Sequence, residues 1–280
     1  MTRAGDHTAQ AGIGMETPPE TQHATVDRDE PPAPFTLPGI RALDTAAPLR
    51  WVGAGFRDFL AMPSASLFYG ATLALMGYLL TNFYGGALGI AFTTGFLLVG
   101  PFLAIGLYDL SRQRAAGRHP QLAKSLTAWH GNLPAIGFYA AILMLSLAVW
   151  ARVSVVIIAL FFPDGVESFP ALLAALRDST DTWVFFLIYT LVGAGLAMFT
   201  FATSAVALPM LLDRKEMDAI SAMIVSFNTI RVNTLPMVGW AAIIVALTAA
   251  GFIAWFVGLV IVLPIIGHGT WHAYRECVER

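Results

Sequence analysis

Long apolar stretches that carry almost no charge are the feature that most constrains this chain. Residues 64–81 contain no ionisable side chain other than Tyr69 and Tyr78. Comparable stretches follow further along the chain at 87–110, 134–150, 183–212 and 236–267. A helix of about 20 apolar residues crosses a bilayer. Hydrophobic residues make up 57% of the sequence and charged residues only 12%, about half the charged fraction of a soluble domain. The sequence therefore predicts an all-α integral membrane protein.

The last apolar block, 236–267, decides the number of spans. It is too long for one untilted span and barely long enough for two. Cytoplasmic flanks collect Lys and Arg. If the block holds two spans with a turn near Gly251, only Arg152 and Arg177 of the sixteen basic residues lie outside. One span would instead export Arg275 and Arg280. We therefore expect six transmembrane helices with both termini in the cytoplasm of a bacterial inner membrane.

The six helices are predicted to form three repeated αα-hairpins. Each first helix begins at a proline, and each second helix carries a proline near its cytoplasmic end, followed by polar residues. The residues of this second motif are Pro101, Asp109 and Arg112, then Pro209, Asp213 and Arg214, then Pro264 and Arg275. The prolines predict kinks that shape the bundle or, as the less favoured alternative, form a transport site. The charges either pair between hairpins or are simply solvated, and solvation is favoured.

An amphipathic segment precedes each hairpin. Apolar residues recur at helical spacing around Trp51–Leu60, Leu122–Trp129 and Met217–Phe227. We interpret these segments as helices in the inner interface, with packing against neighbouring protein as the alternative. On the outer side, the apolar run 169–176 predicts a short interfacial helix.

The first 45 residues differ from the rest of the chain. They are rich in proline, carry the acidic cluster Asp27, Asp29 and Glu30, and show no signal-peptide pattern. Such a composition buries too little apolar surface to offset the entropy lost on ordering. We predict a disordered cytoplasmic tail over 1–45, followed by a transmembrane domain over 46–280.

Three sequence runs resemble a family signature. The runs are GFLLVGPFLAIGLYDLSR at 95–112, SAVALPMLLDR at 204–214 and LPIIGHGTWHAYR at 263–275. They resemble a bacterial family of predicted integral membrane proteins, domain of unknown function 2189, over about residues 50–276. The resemblance implies a proteobacterial inner-membrane protein without an established activity, ligand or catalytic residue. Some members carry names borrowed from respiratory oxidase subunits, but this chain lacks the paired mid-membrane histidines that haem and copper require.

Three histidines are the candidate metal ligands. His268 and His272 are four residues apart, so they share a helix face and could share one metal ion. His130 is expected at the same membrane level. The favoured alternative is that these rings, with Trp271 and Tyr274, mark the membrane interface. No cofactor is predicted.

The charge distribution narrows the function. No Asp, Glu, Lys or Arg lies deep in a predicted span, which disfavours an ion-coupled transporter. A net charge of −2 gives no basic face for nucleic acid. We expect a non-enzymatic scaffold or accessory factor whose partners are the lipid bilayer and another inner-membrane protein. The alternatives are a passive transporter or lipid-handling protein and a metal- or haem-associated respiratory accessory protein. The oligomeric state is not predicted.

Overall fold

The computed structural model describes residues 37–178, 181–254 and 256–279. Within these ranges the chain is helical, and its one β-pairing is an isolated bridge between Ile40 and Val278. The α-helices in chain order are α1 (Ala47–Ala61), α2 (Pro63–Phe83), α3 (Gly86–Gly95), α4 (Gly100–Leu103), α5 (Ile105–Ala115), α6 (Leu122–Ser125), α7 (Leu133–Phe161), α8 (Phe169–Asp178), α9 (Thr182–Ser204), α10 (Ala207–Asp213), α11 (Ala219–Val232), α12 (Thr234–Ile253) and α13 (Leu259–Cys277). Two 3₁₀ turns, Phe96–Val99 and Ala128–Asn132, precede α4 and α7.

Among the described residues, five helical stretches are long and apolar enough to cross a membrane. They are Pro63–Phe83, Gly86–Ala115, Ala128–Phe161, Thr182–Asp213 and Thr234–Ile253. Four of them contain the first four predicted spans, and the fifth contains the first half of the last apolar block. Helix α13 is not among them, because its second half carries His272, Arg275 and Glu276. The prediction of an all-helical membrane protein is thus confirmed at the level of five candidate spans.

The third span is longer than the sequence predicted. Its predicted end lies near Trp150, just before Arg152, but α7 continues to Phe161. The residues after Arg152 are apolar again, and Ile157 and Ile158 pack with Ile90 in a small apolar cluster. One arginine on the exposed face does not end a helix whose other face is buried. The helix predicted over 169–176 is present as α8.

The last apolar block forms two helices, α12 and α13. Gly251, predicted near the turn between them, lies inside α12, which ends at Ile253, and α13 begins at Leu259. Phe256, between the two helices, has a φ of 63°, a left-handed conformation typical of tight turns. The turn thus falls a few residues later than predicted, since the helix continues through Gly251, which faces Leu259 of α13.

Two of the three motif prolines lie in the first turn of a new helix, just after a break in the helical stretch. Pro101 lies in the first turn of α4, after α3 has ended and a 3₁₀ turn has intervened. Pro209 lies in α10, which begins at Ala207 after α9 has ended at Ser204. At the start of a new helical segment, proline sacrifices no backbone hydrogen bond. Pro264 instead lies inside the continuous helix α13.

The amphipathic segments differ in length. The first and third are the helices α1 and α11, of 15 and 14 residues. The middle segment contains only one α-helical turn, α6, and a 3₁₀ turn. In α6 the hydroxyl of Ser125 donates to the carbonyl of Leu122 at 2.7 Å, a local bond that competes with helix continuation.

Helix α13 is the centre of the packing at one end of the bundle. It makes its most extensive contacts with α1 and α2, and it also contacts α5 and α12. Glycines allow two of these close approaches. Gly55 of α1 lies against the backbone of Ile265 and Gly269, and Gly70 of α2 lies against the carbonyl of Val260. A methyl group at either glycine would overlap backbone atoms of α13.

The segment before α1 is bonded to the end of the chain. The amide of Arg41 donates to the carbonyl of Cys277 at 2.8 Å, and the amide of Glu279 donates to Gly39 at 2.9 Å. The side chain of Asn233, which precedes α12, accepts from Leu43 and donates to Arg41. Residues 39–43 are therefore held against the helical domain, although the sequence assigned them to the tail. Residues 1–36 of that tail lie outside the described residues.

Candidate functional site

A cluster of polar side chains lies at the contact of α13 with α1, α2 and α5. Its members, the buried polar network, are Asp58, Ser66, Ser111, Arg114, His268 and His272. Trp51, Gly55 and Asp58 occur at positions i, i+4 and i+7, so they share one face of α1. That face packs on α13 through Gly55, and it carries the Asp58 carboxylate against the two histidines.

His268 is fully buried between two serines. Its Nε2 lies 3.0 Å from the hydroxyl of Ser66, and its Nδ1 lies 2.8 Å from the hydroxyl of Ser111. A neutral imidazole donates from one ring nitrogen and accepts at the other, and a serine hydroxyl can do either. Both polar atoms of this ring are therefore satisfied inside the protein.

Asp58 is the centre of the network. Its Oδ2 accepts from the hydroxyl of Ser111 at 2.5 Å and lies 2.9 Å from Nε2 of His272, while its Oδ1 is paired with Arg114. The side chain is only 3% exposed. Burial acts to raise the pKa of Asp58, but the hydrogen bonds from His272 and Ser111 outweigh it, so the pKa lies below its ordinary value. The carboxylate is thus held in its charged form.

The third candidate metal ligand lies elsewhere. His130 is exposed, its ring stacks on Trp129 with centroids 3.7 Å apart, and its Nδ1 faces the carbonyl of Thr127. Within the described residues, no group of three or more His, Cys, Asp or Glu side chains is placed to hold a metal ion. His268 and His272 do share a helix face, but they contact Ser and Asp partners separately.

The motif charges at the end of α5 form an ion pair that also contacts the backbone of α10. Asp109 is buried and pairs with Arg112 at 2.6 Å, and it also accepts from Gln113. Arg112 in addition donates to the carbonyl of Leu212, which lies just before Asp213. One arginine therefore joins the end of α5 to the end of α10.

A second set of contacts joins α10 to α13. The hydroxyl of Tyr274 donates to Asp213 at 2.9 Å, and Arg275 lies 3.5 Å from the same carboxylate oxygen. Arg214 donates to the carbonyl of Glu279. Among the motif charges of the described residues, Asp213 and Arg275 pair between two segments, as in the less favoured alternative to solvation, whereas Arg112 and Arg214 bond backbone carbonyls.

Sequence reasoning missed four members of the buried polar network: Asp58, Ser66, Ser111 and Arg114. Asp58 had a signal, because a carboxylate on the same helical face as Trp51 and Gly55 interrupts an otherwise apolar surface. The two serines had none, since serine is common in apolar helices and their role depends on where His268 is placed by the fold.

The chemistry open to this arrangement is limited by its own bonds. The ring nitrogens of His268, Nε2 of His272 and both oxygens of Asp58 each have a partner within the protein. A catalytic base or metal ligand must also be reached by its substrate or ion, and both His268 and Asp58 are buried. The network instead ties α1, α2, α5 and α13 together.

Comparison with known proteins gives one match. No curated protein and no solved structure matches the chain. The matched region of the one family model contains the run 95–112 and nearly all of the run 204–214, while the run 263–275 lies beyond it. Over residues 89–213 the chain matches the family model described as predicted integral membrane protein (DUF2189), which confirms the family resemblance for this part of the sequence.

Proposed function

We propose that this chain is a non-enzymatic membrane scaffold or accessory factor that acts by binding lipids or another membrane protein. One observation carries the proposal: the histidine and carboxylate groups that could perform chemistry are bonded to one another in the buried polar network. Asp58 and His268 are buried away from solvent, and the partly exposed His272 is bonded to Asp58, which supports a structural role for these groups. The polar end of the bundle then offers binding surface rather than a reactive centre.

The test is a native mass spectrum of the full chain, extracted with its surrounding lipid from the membrane that produces it. We expect the chain to carry a defined additional mass, either a lipid or a second membrane protein. An unrelated multi-span protein extracted in the same way reports adventitious lipid. A bare chain would contradict the scaffold function, and a stoichiometric metal mass would favour the respiratory accessory protein instead.

The scaffold is proposed to have six spans arranged as three αα-hairpins. Backbone pairing between Ile40 and Val278 supports an even number of crossings, because two paired strands lie on the same side of a membrane. Five spans between these residues would place them on opposite sides. The even count is reached when α13, which has 19 residues and packs beside α12, is the sixth crossing. A helix of that length extends about 28 Å, close to the bilayer core.

The side that carries both termini is proposed to be the cytoplasm of a bacterial inner membrane. Basic residues collect on cytoplasmic flanks. Arg41, Arg112 and Arg214 all contact the chain ends or the motif region that surrounds them. The short helices α1 and α11 and the segment around α6 are proposed to lie at this inner interface.

Reporter fusions test the topology. We expect fusions after Asp178 and Ala250 to report the outer side. A fusion after Arg280 should report the cytoplasmic side. A fusion after Gly86, the first residue of α3, is the control for an outer position. An outer Arg280 would mean that α13 does not cross, and the six-span arrangement would then be wrong.

A further inference from the structure

A basic cleft lies where the ends of α5, α10 and α13 meet. Its volume is about 710 Å³, in the range of small-molecule sites. The charged side chains that line it are Arg112, Arg118, Arg214, Lys215, Arg275 and Asp213. Five cations thus face one carboxylate, which is unusual in a chain whose overall net charge is −2.

The internal ion pairs neutralise only part of this charge. Arg112 is paired with Asp109, and Arg275 lies beside Asp213. Arg214 donates to a backbone carbonyl, which carries no net charge. The remaining two cations, on Arg118 and Lys215, have no side-chain partner among the residues that the structure describes.

The positions of these two cations favour binding of a ligand over a structural role. Both side chains are exposed, so they are free to reorient toward a bound group. Arg118 follows the end of α5 and Lys215 follows the end of α10, so they reach the cleft from two different hairpin ends. An anion between them would be contacted from both sides and would link these two ends.

We propose that the basic cleft binds a phosphate group. Phosphate offers three strong acceptor oxygens and up to two negative charges, and a guanidinium can donate to two of the oxygens at once. The excess of three cations, on Arg118, Arg214 and Lys215, matches that charge better than it matches a single carboxylate. The group comes either from an anionic lipid headgroup or from a soluble phosphorylated molecule.

The lipid source deepens the proposed scaffold function and rests on it, because it requires the polar end of the bundle to lie at the membrane surface. Basic residues next to a span attract anionic headgroups, and each contributes favourably near the surface. The soluble source does not depend on the topology.

The test uses the purified full chain in phosphatidylcholine nanodiscs, with phosphatidic acid or inorganic phosphate as the probe. Native mass spectrometry counts the retained phosphatidic acid, and calorimetry measures the binding of phosphate. The variant is Arg118→Gln with Lys215→Gln, and the matched control is Arg57→Gln, an exposed cation of α1 outside the cleft. Since the substituted side chains are exposed, all variants should fold as the wild type does.

We expect the wild type and Arg57→Gln to bind a probe and the double variant to bind it about tenfold more weakly. Retention of phosphatidic acid over phosphatidylcholine assigns a lipid headgroup. Binding of inorganic phosphate without that preference assigns a soluble ligand. The proposal is overturned if neither probe binds the wild type, or if the double variant binds as tightly as the wild type. If the natively extracted chain carries no lipid or second protein but the purified chain binds phosphate, the scaffold function is refuted and the phosphate site stands.

Discussion

Gly70→Ala is expected to lower the free energy of unfolding by about 3 kcal/mol, the upper part of the range for overpacking a core. The added methyl group would overlap the carbonyl oxygen of Val260 and lie 2.9 Å from the ring of Pro264. Because the carbonyl belongs to the backbone of α13, a side-chain rotation does not relieve the overlap. The helices α2 and α13 must move apart, and the contacts between them are lost. Unfolding in detergent micelles by titration with a denaturing detergent measures the difference.

The matched control is Gly195→Ala in α9. No atom lies within 4 Å of the place that the added methyl group would take, and the residue is exposed. Since alanine is a better helix former than glycine by about 1 kcal/mol, the control should be neutral or slightly stabilising. Equal effects of the two substitutions would show that α2 and α13 do not approach closely at Gly70.

The sequence predicted the positions of the spans but not the close packing of α13 against its neighbours. The apolar stretches follow directly from hydropathy, so four of the predicted spans lie inside helical stretches of the structure. In the sequence, Gly55 and Gly70 could not be distinguished from Gly195. Which of them faces another helix depends on the rotation of each helix about its axis, and hydropathy in a bilayer carries little of that information because lipid and protein are both apolar.

Two boundaries in the structure lie later than predicted. The third span was predicted to end near Trp150, just before Arg152, and the last turn was predicted near Gly251. In the structure α7 continues beyond Arg152, and α12 continues beyond Gly251. Burial of Ile157 and Ile158 on one side of α7 outweighs one exposed charge, and a helical glycine costs only about 1 kcal/mol.

The candidate site was predicted in part. The pair of His268 and His272 was found from its spacing, and so were the motif charges Asp109 and Asp213. The carboxylate partner of the histidines was not found, because Asp58 precedes His272 by 214 residues and the pairing is set by tertiary structure. A spacing rule identifies groups on one helix, whereas a network shared by four helices requires their arrangement in space.

Asp58→Asn is expected to lower the free energy of unfolding by about 3 kcal/mol, the lower end of the range for breaking a buried ion pair. The amide removes the negative charge that pairs with Arg114, and it places a donor group where Ser111 and His272 now find acceptors. The lower end of the range applies because the Arg114 side chain is 45% exposed and regains water when its partner is lost. The same detergent titration measures the loss.

Asp44→Asn provides the matched control, since Asp44 also pairs with an arginine, Arg50, at 2.8 Å, but its side chain is 63% exposed. Surface pairs of this kind contribute about 0–1 kcal/mol. If Asp58→Asn costs no more than Asp44→Asn, the buried polar network does not stabilise the fold, and its histidines and carboxylate become available for another role.

The pH dependence of the stability difference shows whether Asp58→Asn acts by removing the charge or by disrupting the packing. Because the pKa of Asp58 is lower in the folded chain than its ordinary value of about 4, its charge stabilises the fold above that value. The stabilisation is lost as the pH falls through the folded pKa, where the carboxyl group becomes protonated. The stability difference between the wild type and Asp58→Asn should therefore be full at pH 7 and shrink toward pH 3. A difference that stays constant over this range would mean that the amide disrupts packing, and that the charge of Asp58 is not what holds α1 to α13.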